Sequence, residues 1–274
     1  MLYFGGMSRI ITLTTDFGTK DWFVGSMKGV ILGIQPEVLV VDITHDVSSG
    51  DIRGGAFALA ASYSFFARGT IHLAVVDPGV GSDRAAIAVQ TADYLFIGPD
   101  NGVLSWALRQ ESIKSIRKLE NEKLFLRSIS HTFHGRDIFA PVAAHLSKGV
   151  AIEKLGPAQP QLVTFPWPKP QRTRREVAGE VLYIDQFGNA ITNIRSEFLD
   201  GFDRESCRVM LRRKAIARLK RYYEEVAPGE AACVASSSGF LEIAVNGGSA
   251  ARRFKLKVGD AVEVRRTAHQ RSSS

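Results

Sequence analysis

Between Ile10 and Ile97, short apolar runs rich in β-branched residues alternate with longer helix-like stretches, and three of the runs lead into an aspartate. The runs predict strands at Ile10–Thr14, Val38–Val41, Thr70–Val76, Ala86–Gln90 and Tyr94–Ile97. The stretches around them predict helices at Trp22–Ile34, Ile52–Ser64, Gly102–Gln110 and Pro141–Ser147, the last stopped by Gly149. A repeated strand–helix step builds an α/β fold with a mainly parallel sheet.

The pattern changes after Gly156. Five prolines, at 157, 160, 166, 168 and 170, occupy a stretch without apolar periodicity, a semi-rigid linker composition. Beyond it come alternating runs at Val177–Ile184, Ala190–Ile194, Ala231–Ala235, Phe240–Val245 and Ala261–Val264, punctuated by Gly and Asn. These predict a small β-barrel or sandwich. The expected organisation is an N-terminal α/β domain over 8–156, a linker over 157–172 and a C-terminal β-barrel domain over 173–267. The opening MLYFGG, ahead of Met7, is read as lying outside the fold, and Gln270–Ser274 as a disordered tail.

Composition narrows the class. Hydrophobic residues at 45% and charged residues at 23% are ordinary for a globular chain and argue against overall disorder. The richest apolar stretch, Gly55–Ala67, is short and broken by Ser62, Tyr63 and Ser64, so no membrane span is expected. Cys207 and Cys233 form neither a CxxC pair nor a zinc spacing, which points to a reducing cytoplasm. The net charge of +7 is uneven: 14 basic and 14 acidic residues lie in 1–150, against 21 and 14 beyond it. Arg212, Arg213, Lys214, Arg218, Lys220 and Arg221 carry much of the excess. Without interleaved aromatics they read as a solvated face more readily than as a nucleic-acid footprint.

The aspartates that end strands are Asp16, Asp42 and Asp77. In open α/β sheets ligands meet the chain outside the carboxyl ends of strands, so acids there are placed to touch one. Asp42, with Thr44, fits a turn-forming role equally well. In VDPGVGSDR, from Val76 to Arg84, Pro78 and Gly79 force a tight turn, and Asp77 and Arg84 flank it as candidates for a charge-assisted pair. The loop lacks both the Walker lysine and the GxGxxG fingerprint. In SHTFHGRD, from Ser130, the His131-x-x-His134 spacing suits a helical zinc pair poorly, so no metal is expected. His134 reads instead as a single imidazole exposed at a strand end and able to exchange a proton near neutral pH. In the second half, IDQFGNAITN from Ile184 puts Asp185, Phe187 and Asn189 in one turn. SSSGFLEIAVN from Ser236 offers hydroxyls beside Gly239. Such sets suit a flat heterocycle with polar substituents, although ordinary hairpin turns explain them as well.

In order, TTDFGTKDWFVGSMKGVI, VVDITH, VVDPGVGSDR, GPDNGVLS, FHGRDIFAPVAAHL, IDQFGNAITNI and SSSGFLEIAVN resemble the S-adenosyl-L-methionine hydrolase (adenosine-forming) family, relatives of the fluorinases and chlorinases, over about residues 8–266. The resemblance implies an N-terminal α/β domain, a C-terminal β-barrel, and a homotrimer in which the substrate lies between one subunit's first domain and its neighbour's second. It implies a catalytic set of Asp77, Arg84 and His134. It implies a ribose contact at Asp16, adenine contacts at Phe187 and Asn189, and methionine contacts at Asp185 and Ser237; Asn246 is grouped with these as substrate-binding. The halogenating relatives carry Tyr where Asp77 stands and another residue where His134 stands, and the fluorinase has an arginine where Ser238 stands. The long insertion of the fluorinase after its first catalytic loop is absent.

The expected chemistry is attack of water on the ribose C5′ of S-adenosylmethionine, giving adenosine and methionine without a metal or organic cofactor. Arg84 orients the water and Asp77 fixes Arg84. His134 is the expected base, since an aspartate held by an arginine accepts a proton weakly. A non-catalytic adenosine-binding module docking RNA, and a halogenase, are the alternatives.

Overall fold

The computed structural model describes residues 10–236 and 238–267, so the expectations for MLYFGG, Ser237 and Gln270–Ser274 lie outside the described residues. It falls into two compact units that meet in sequence between Pro166 and Trp167. Among the described residues no helix is long and apolar enough to cross a membrane.

The first unit runs β1 (Ile10–Thr15), α1 (Phe23–Ile34), β2 (Leu39–Thr44), α2 (Ile52–Ser62), β3 (Ile71–Val75), β4 (Ala86–Thr91), β5 (Leu95–Pro99), α3 (Ser105–Leu108), β6 (Ile113–Lys118) and α4 (Ala140–Ser147). Its sheet has the order β2-β1-β3-β5-β4-β6. The first four strands in that order are parallel, and β4 runs antiparallel to both its neighbours, β5 and β6, so β6 points the same way as the first four. A tight turn at Thr91–Tyr94, held by the Thr91 hydroxyl accepting from Asp93 and Tyr94, can only join antiparallel neighbours. Along β3, Ile71, Leu73 and Val75 pack with Met27 of α1 and with Ala143 of α4, while Ala74 packs with Leu59 of α2 and with Leu104, the residue before α3. This alternation buries both faces of the sheet.

Two elements differ from the expectation. The helix foreseen over Gly102–Gln110 contracts to the single turn α3, because residues 102–104 form a turn held by Asn101 and by the Ser105 hydroxyl. Strand β6 was not foreseen. Its IKSIRK is mostly polar and half exposed, as an edge strand's outer face is. Residues 157–165, expected as a linker, lie along the first unit: Gln159 N–H donates to the Ile116 carbonyl (3.0 Å) and Val163 N–H to Asp100 Oδ1 (2.7 Å).

The second unit contains β7 (Gln171–Arg172), β8 (Glu176–Ile184), β9 (Ala190–Arg195), β10 (Cys207–Leu211), β11 (Lys214–Lys220), β12 (Ala231–Ala235), β13 (Phe240–Val245), α5 (Ala250–Phe254) and β14 (Ala261–Arg266). Seven strands, in the order β14-β10-β11-β12-β13-β9-β8, close into a barrel, and β7 adds to β8. The nine-residue β8 makes closure possible. Its first half pairs with β14 and its second half with β9. Val177, Val181, Ile194, Val209, Leu241, Ile243 and Val264 fill the interior, with Cys207 and Cys233 buried as free thiols. The basic segment is the β10–β11 hairpin, whose turn residues Arg212 and Arg213 both take left-handed φ, 49° and 66°. Long cationic side chains hid its strand alternation from the sequence reading.

Candidate active site

The sheet's connections set the place. From β1 the chain moves through α1 to β2 on one side, then crosses through α2 to β3 on the other, so the order reverses between β1 and β3. At such a switch point the loops leaving adjacent strand ends diverge and open a crevice, the preferred ligand position in an open α/β sheet. Asp16 follows β1 there, and Asp77 follows β3.

Asp77 and Arg84 close the turn between them. Arg84 Nε donates to Asp77 Oδ2 at 2.8 Å, and Nη2 lies 2.5 Å from the same oxygen. Both side chains are nearly buried, 4% exposed for Asp77 and 11% for Arg84. The guanidinium also lies 5.4 Å from the centre of the Phe139 ring. Since both guanidinium contacts fall on Oδ2, Asp77 Oδ1 remains buried without a hydrogen-bond partner. A buried acceptor of that kind is costly unless a ligand or water uses it.

His134 completes the cluster. Its Nδ1 lies 2.9 Å from Arg84 Nη2. A guanidinium can only donate, so Nδ1 accepts and the ring proton sits on Nε2. Burial, then the Arg84 charge, pushes the His134 pKa below the ordinary imidazole value. The residue does not stand at a strand end, as expected. It is the N-terminal flank of a π-helical turn, Gly135–Phe139, that leads into α4. Wide turns of this kind recur at functional sites.

Two features hold the loops together. Gly81, at φ 81°, sits so close to the His131 carbonyl that an added Cβ would come within 2.5 Å of its oxygen. Only glycine lets the 77–84 loop lie against the 130–134 loop in this way. Asp137, fully buried, accepts from the Ser130 amide and hydroxyl (2.8 Å each) and from Arg136 Nε (2.6 Å). Burial opposes its ionisation, yet the Arg136 and Ser130 hydrogen bonds hold its pKa below the usual carboxylate range. Sequence reasoning passed over Asp137, although an acid inside an apolar helical run was the available signal.

Asp16 accepts from the Gly50 amide through Oδ2 at 2.8 Å. Asp42 lies within β2 and pairs with Lys28 Nζ at 2.6 Å. Burial opposes its charge, but the Lys28 hydrogen bond and the close approach of His45 prevail and lower its pKa.

In the second unit Asp185 organises the β8–β9 turn. Its Oδ1 accepts from the amides of Phe187 (2.9 Å) and Asn189 (2.8 Å), and Oδ2 from Asn189 Nδ2 (3.3 Å). Phe187 is 67% exposed at the tip, a large ring the barrel core does not use, while Asn189 is buried. Asn246 donates its side-chain amide to the Val226 carbonyl at 2.8 Å, tying the 226–230 loop to the end of β13. Ser238 Oγ lies 2.7 Å from Ser236 Oγ. The sequence reading missed Glu242, a buried acid on the wholly buried β13, to which Tyr223 donates at 2.6 Å. Burial raises its pKa and the nearby Asp185 charge adds to the rise, against the Tyr223 hydrogen bond.

Among the described residues no three His, Cys, Asp or Glu side chains gather as a metal cage. In the basic hairpin, Arg212 pairs with Asp260 at 3.0 Å and Arg221 with Glu225 at 2.7 Å, so part of that charge is internally neutralised.

Comparison with known proteins bears on the whole chain. Residues 11–156 match the sequence model of the SAM hydroxide adenosyltransferase N-terminal domain, and residues 179–263 that of its C-terminal domain. A relative from Salinispora tropica named (R)-S-adenosyl-L-methionine hydrolase is 40% identical over 257 residues, covering 93% of this chain and 97% of its own. The crystal structure of a conserved protein from Thermotoga maritima superposes with a TM-score of 0.88 at 40% identity, covering 94% of this chain and all of that one. A fluorinase of Nocardia brasiliensis is more distant, 26% identical over 95% of this chain and 98% of its own. With both domain models matched in order along one chain, and a 40% identical relative spanning nearly all of it, this protein belongs to the SAM hydroxide adenosyltransferase family.

Proposed function

We propose that this protein hydrolyses S-adenosyl-L-methionine to adenosine and L-methionine by attack of water on the ribose C5′. The observation that carries the reading is the buried Asp77–Arg84–His134 cluster at the sheet's switch point, with Asp77 Oδ1 left free. Asp16 holds the ribose hydroxyls, Phe187 stacks on adenine and Asn189 reads its edge. Asp185 and Ser237 meet the methionine end, and Asn246 supports them by fixing the loop beside β13.

The substrate is a sulfonium, already an excellent leaving group, so positioning of the nucleophile is the main demand. As the oxygen–C5′ bond forms, the C5′–sulfur bond breaks and its electron pair stays on methionine. Positive charge moves from sulfur to the entering oxygen. A carboxylate beside that oxygen stabilises the charge where it develops. The protonated 5′-alcohol is a far stronger acid than any carboxylic acid, so even an arginine-bound aspartate takes its proton. This assigns the proton to Asp77 Oδ1. His134, whose Nδ1 is engaged by Arg84 and whose Nε2 carries hydrogen, orients Arg84 and donates to the water. That departs from the role expected of His134, because its lone pair is already occupied. No step is routed through a metal or an organic cofactor.

The active form is a homotrimer, each substrate held by the first unit of one subunit and the second unit of its neighbour. The exposed Phe187 supports this, since a ring left open on one chain is available to another. A halide nucleophile is the poorer fit, because the Asp77 carboxylate repels an anion and accepts from a water. Methionine and adenosine measured by chromatography after exhaustive chelation, with mass by light scattering, test the reading. Equal amounts of both from a three-chain species are expected. A 5′-halo-adenosine as the sole nucleoside in halide buffer, or a fully active monomer, contradicts it.

A further inference from the structure

The VVDITH segment is unused by the chemistry above, yet its side chains form a continuous chain toward Asp16. Asp42 Oδ2 takes Lys28, and Asp42 Oδ1 lies 3.0 Å from His45 Nε2. The approach is close but not well aligned, so that link is electrostatic more than a full hydrogen bond. On the other side of the ring, His45 Nδ1 lies 2.8 Å from Thr15 Oγ1. A carboxylate beside Nε2 favours the hydrogen there, which leaves Nδ1 to accept from the Thr15 hydroxyl. The same hydroxyl accepts from the Phe17 amide at 3.3 Å. His45 and Thr15 are both buried.

The backbone repeats the connection. Gly18 N–H donates to the His45 carbonyl at 2.8 Å, and Val47 N–H to the Thr15 carbonyl at 3.4 Å. Gly50 N–H then meets Asp16 Oδ2 at 2.8 Å. Residues 15–18 are thus clamped to residues 45–50, with Asp16 at the centre of the clamp. We infer that Thr15, His45 and Asp42 are positioning residues that aim the Asp16 carboxylate at the ribose hydroxyls and so set the enzyme's preference for a ribonucleoside. The inference rests on the reading of Asp16 as the ribose contact.

The test compares binding of adenosine and 2′-deoxyadenosine by calorimetry, with steady-state kinetics on S-adenosylmethionine. Thr15→Val removes the hydroxyl at nearly constant shape, Thr15→Ser restores it, and Asp42→Asn acts at the half-exposed end of the chain, away from the core. Wild type is expected to favour adenosine by about tenfold or more, the worth of one well-placed hydrogen bond. Thr15→Val should bring that preference to about threefold or less and raise KM more than it lowers kcat. Thr15→Ser should recover the wild-type ratio, and Asp42→Asn should fall between. A residue that only holds the fold would lower stability and leave the ratio untouched. Folded Thr15→Val or Asp42→Asn protein that discriminates as wild type does would overturn the inference alone. Wild type that fails to discriminate would overturn the ribose reading of Asp16 and the inference with it. Wild type that discriminates without turning substrate over would leave the positioning to be judged by the variants and would sink the hydrolase reading.

Discussion

At Asp77 the chemistry turns on one oxygen. Arg84 occupies Oδ2, and Oδ1 has no partner; in the proposed mechanism it is the acceptor offered to the water. In Asp77→Asn the amide oxygen keeps Arg84 and puts an NH2 where the acceptor must be. Turnover is expected to fall at least about a hundredfold, the scale of a lost electrostatic or proton-accepting group, with substrate affinity changed little. Phe187→Ala should do the opposite, weakening binding by about 1 kcal/mol through lost ring contact while single-turnover rates hold. Calorimetry and rapid-quench rates on the two variants separate these roles, and equal losses of both quantities in either variant would contradict them. His134 adds a pH signature. Its folded pKa is lowered by burial and by Arg84, so it is neutral above the ordinary value of about 6.5. Once pH falls through the lowered folded pKa, protonation costs the site its Arg84 contact, and kcat should decline. Asn at position 134 offers an oxygen in place of Nδ1 but no donor where Nε2 stood, so His134→Asn should turn over more slowly and lose the acid limb. An acid limb of the wild-type profile that His134→Asn leaves unchanged would remove this role.

At the scale of elements, β1 and β3 carry both the site and a buried histidine. His72 is fully buried on β3, bonded through Nδ1 to Thr12 on β1 at 2.8 Å and stacked on Phe96. Burial pushes its pKa down to about 3. The unfolded chain therefore takes up this proton first, and stability is lost as pH falls from about 6.5 toward 3. On the order of 3 kcal/mol should go between pH 6.5 and pH 4 on this account. Denaturant melts across that range should show a shallower loss in His72→Phe, and parallel slopes would refute the assignment. The parallel strands, the aspartates that follow β1 and β3, and the barrel's later strands were legible in the sequence, because apolar runs of period two and strand-end acids leave a local signal, whereas Asp42, read as a strand end, lies inside β2. Strand β6 and the β10–β11 hairpin were not, since Lys and Arg cover their alternation. The Asp77–Arg84 pair could be read from one turn. The Arg84–His134 contact joins residues fifty positions apart, and only the fold decides which imidazole nitrogen meets the arginine. The links from His45 to Thr15 and from Tyr223 to Glu242 were illegible for the same reason.

At the scale of the whole molecule, the proposed reaction divides its work between a sheet with a switch point and a closed barrel: Asp16, Asp77, Arg84 and His134 lie in the first unit, and Asp185, Phe187 and Asn189 in the second. In the proposed reaction water, and no other nucleophile, ends on C5′. Hydrolysis of S-adenosylmethionine in oxygen-18 water, with mass spectrometry of both products, tests it most directly. One heavy oxygen is expected in adenosine, on the 5′-carbon, and none in methionine. Adenosine without the label, or a 5′-substituted nucleoside in its place, would contradict it.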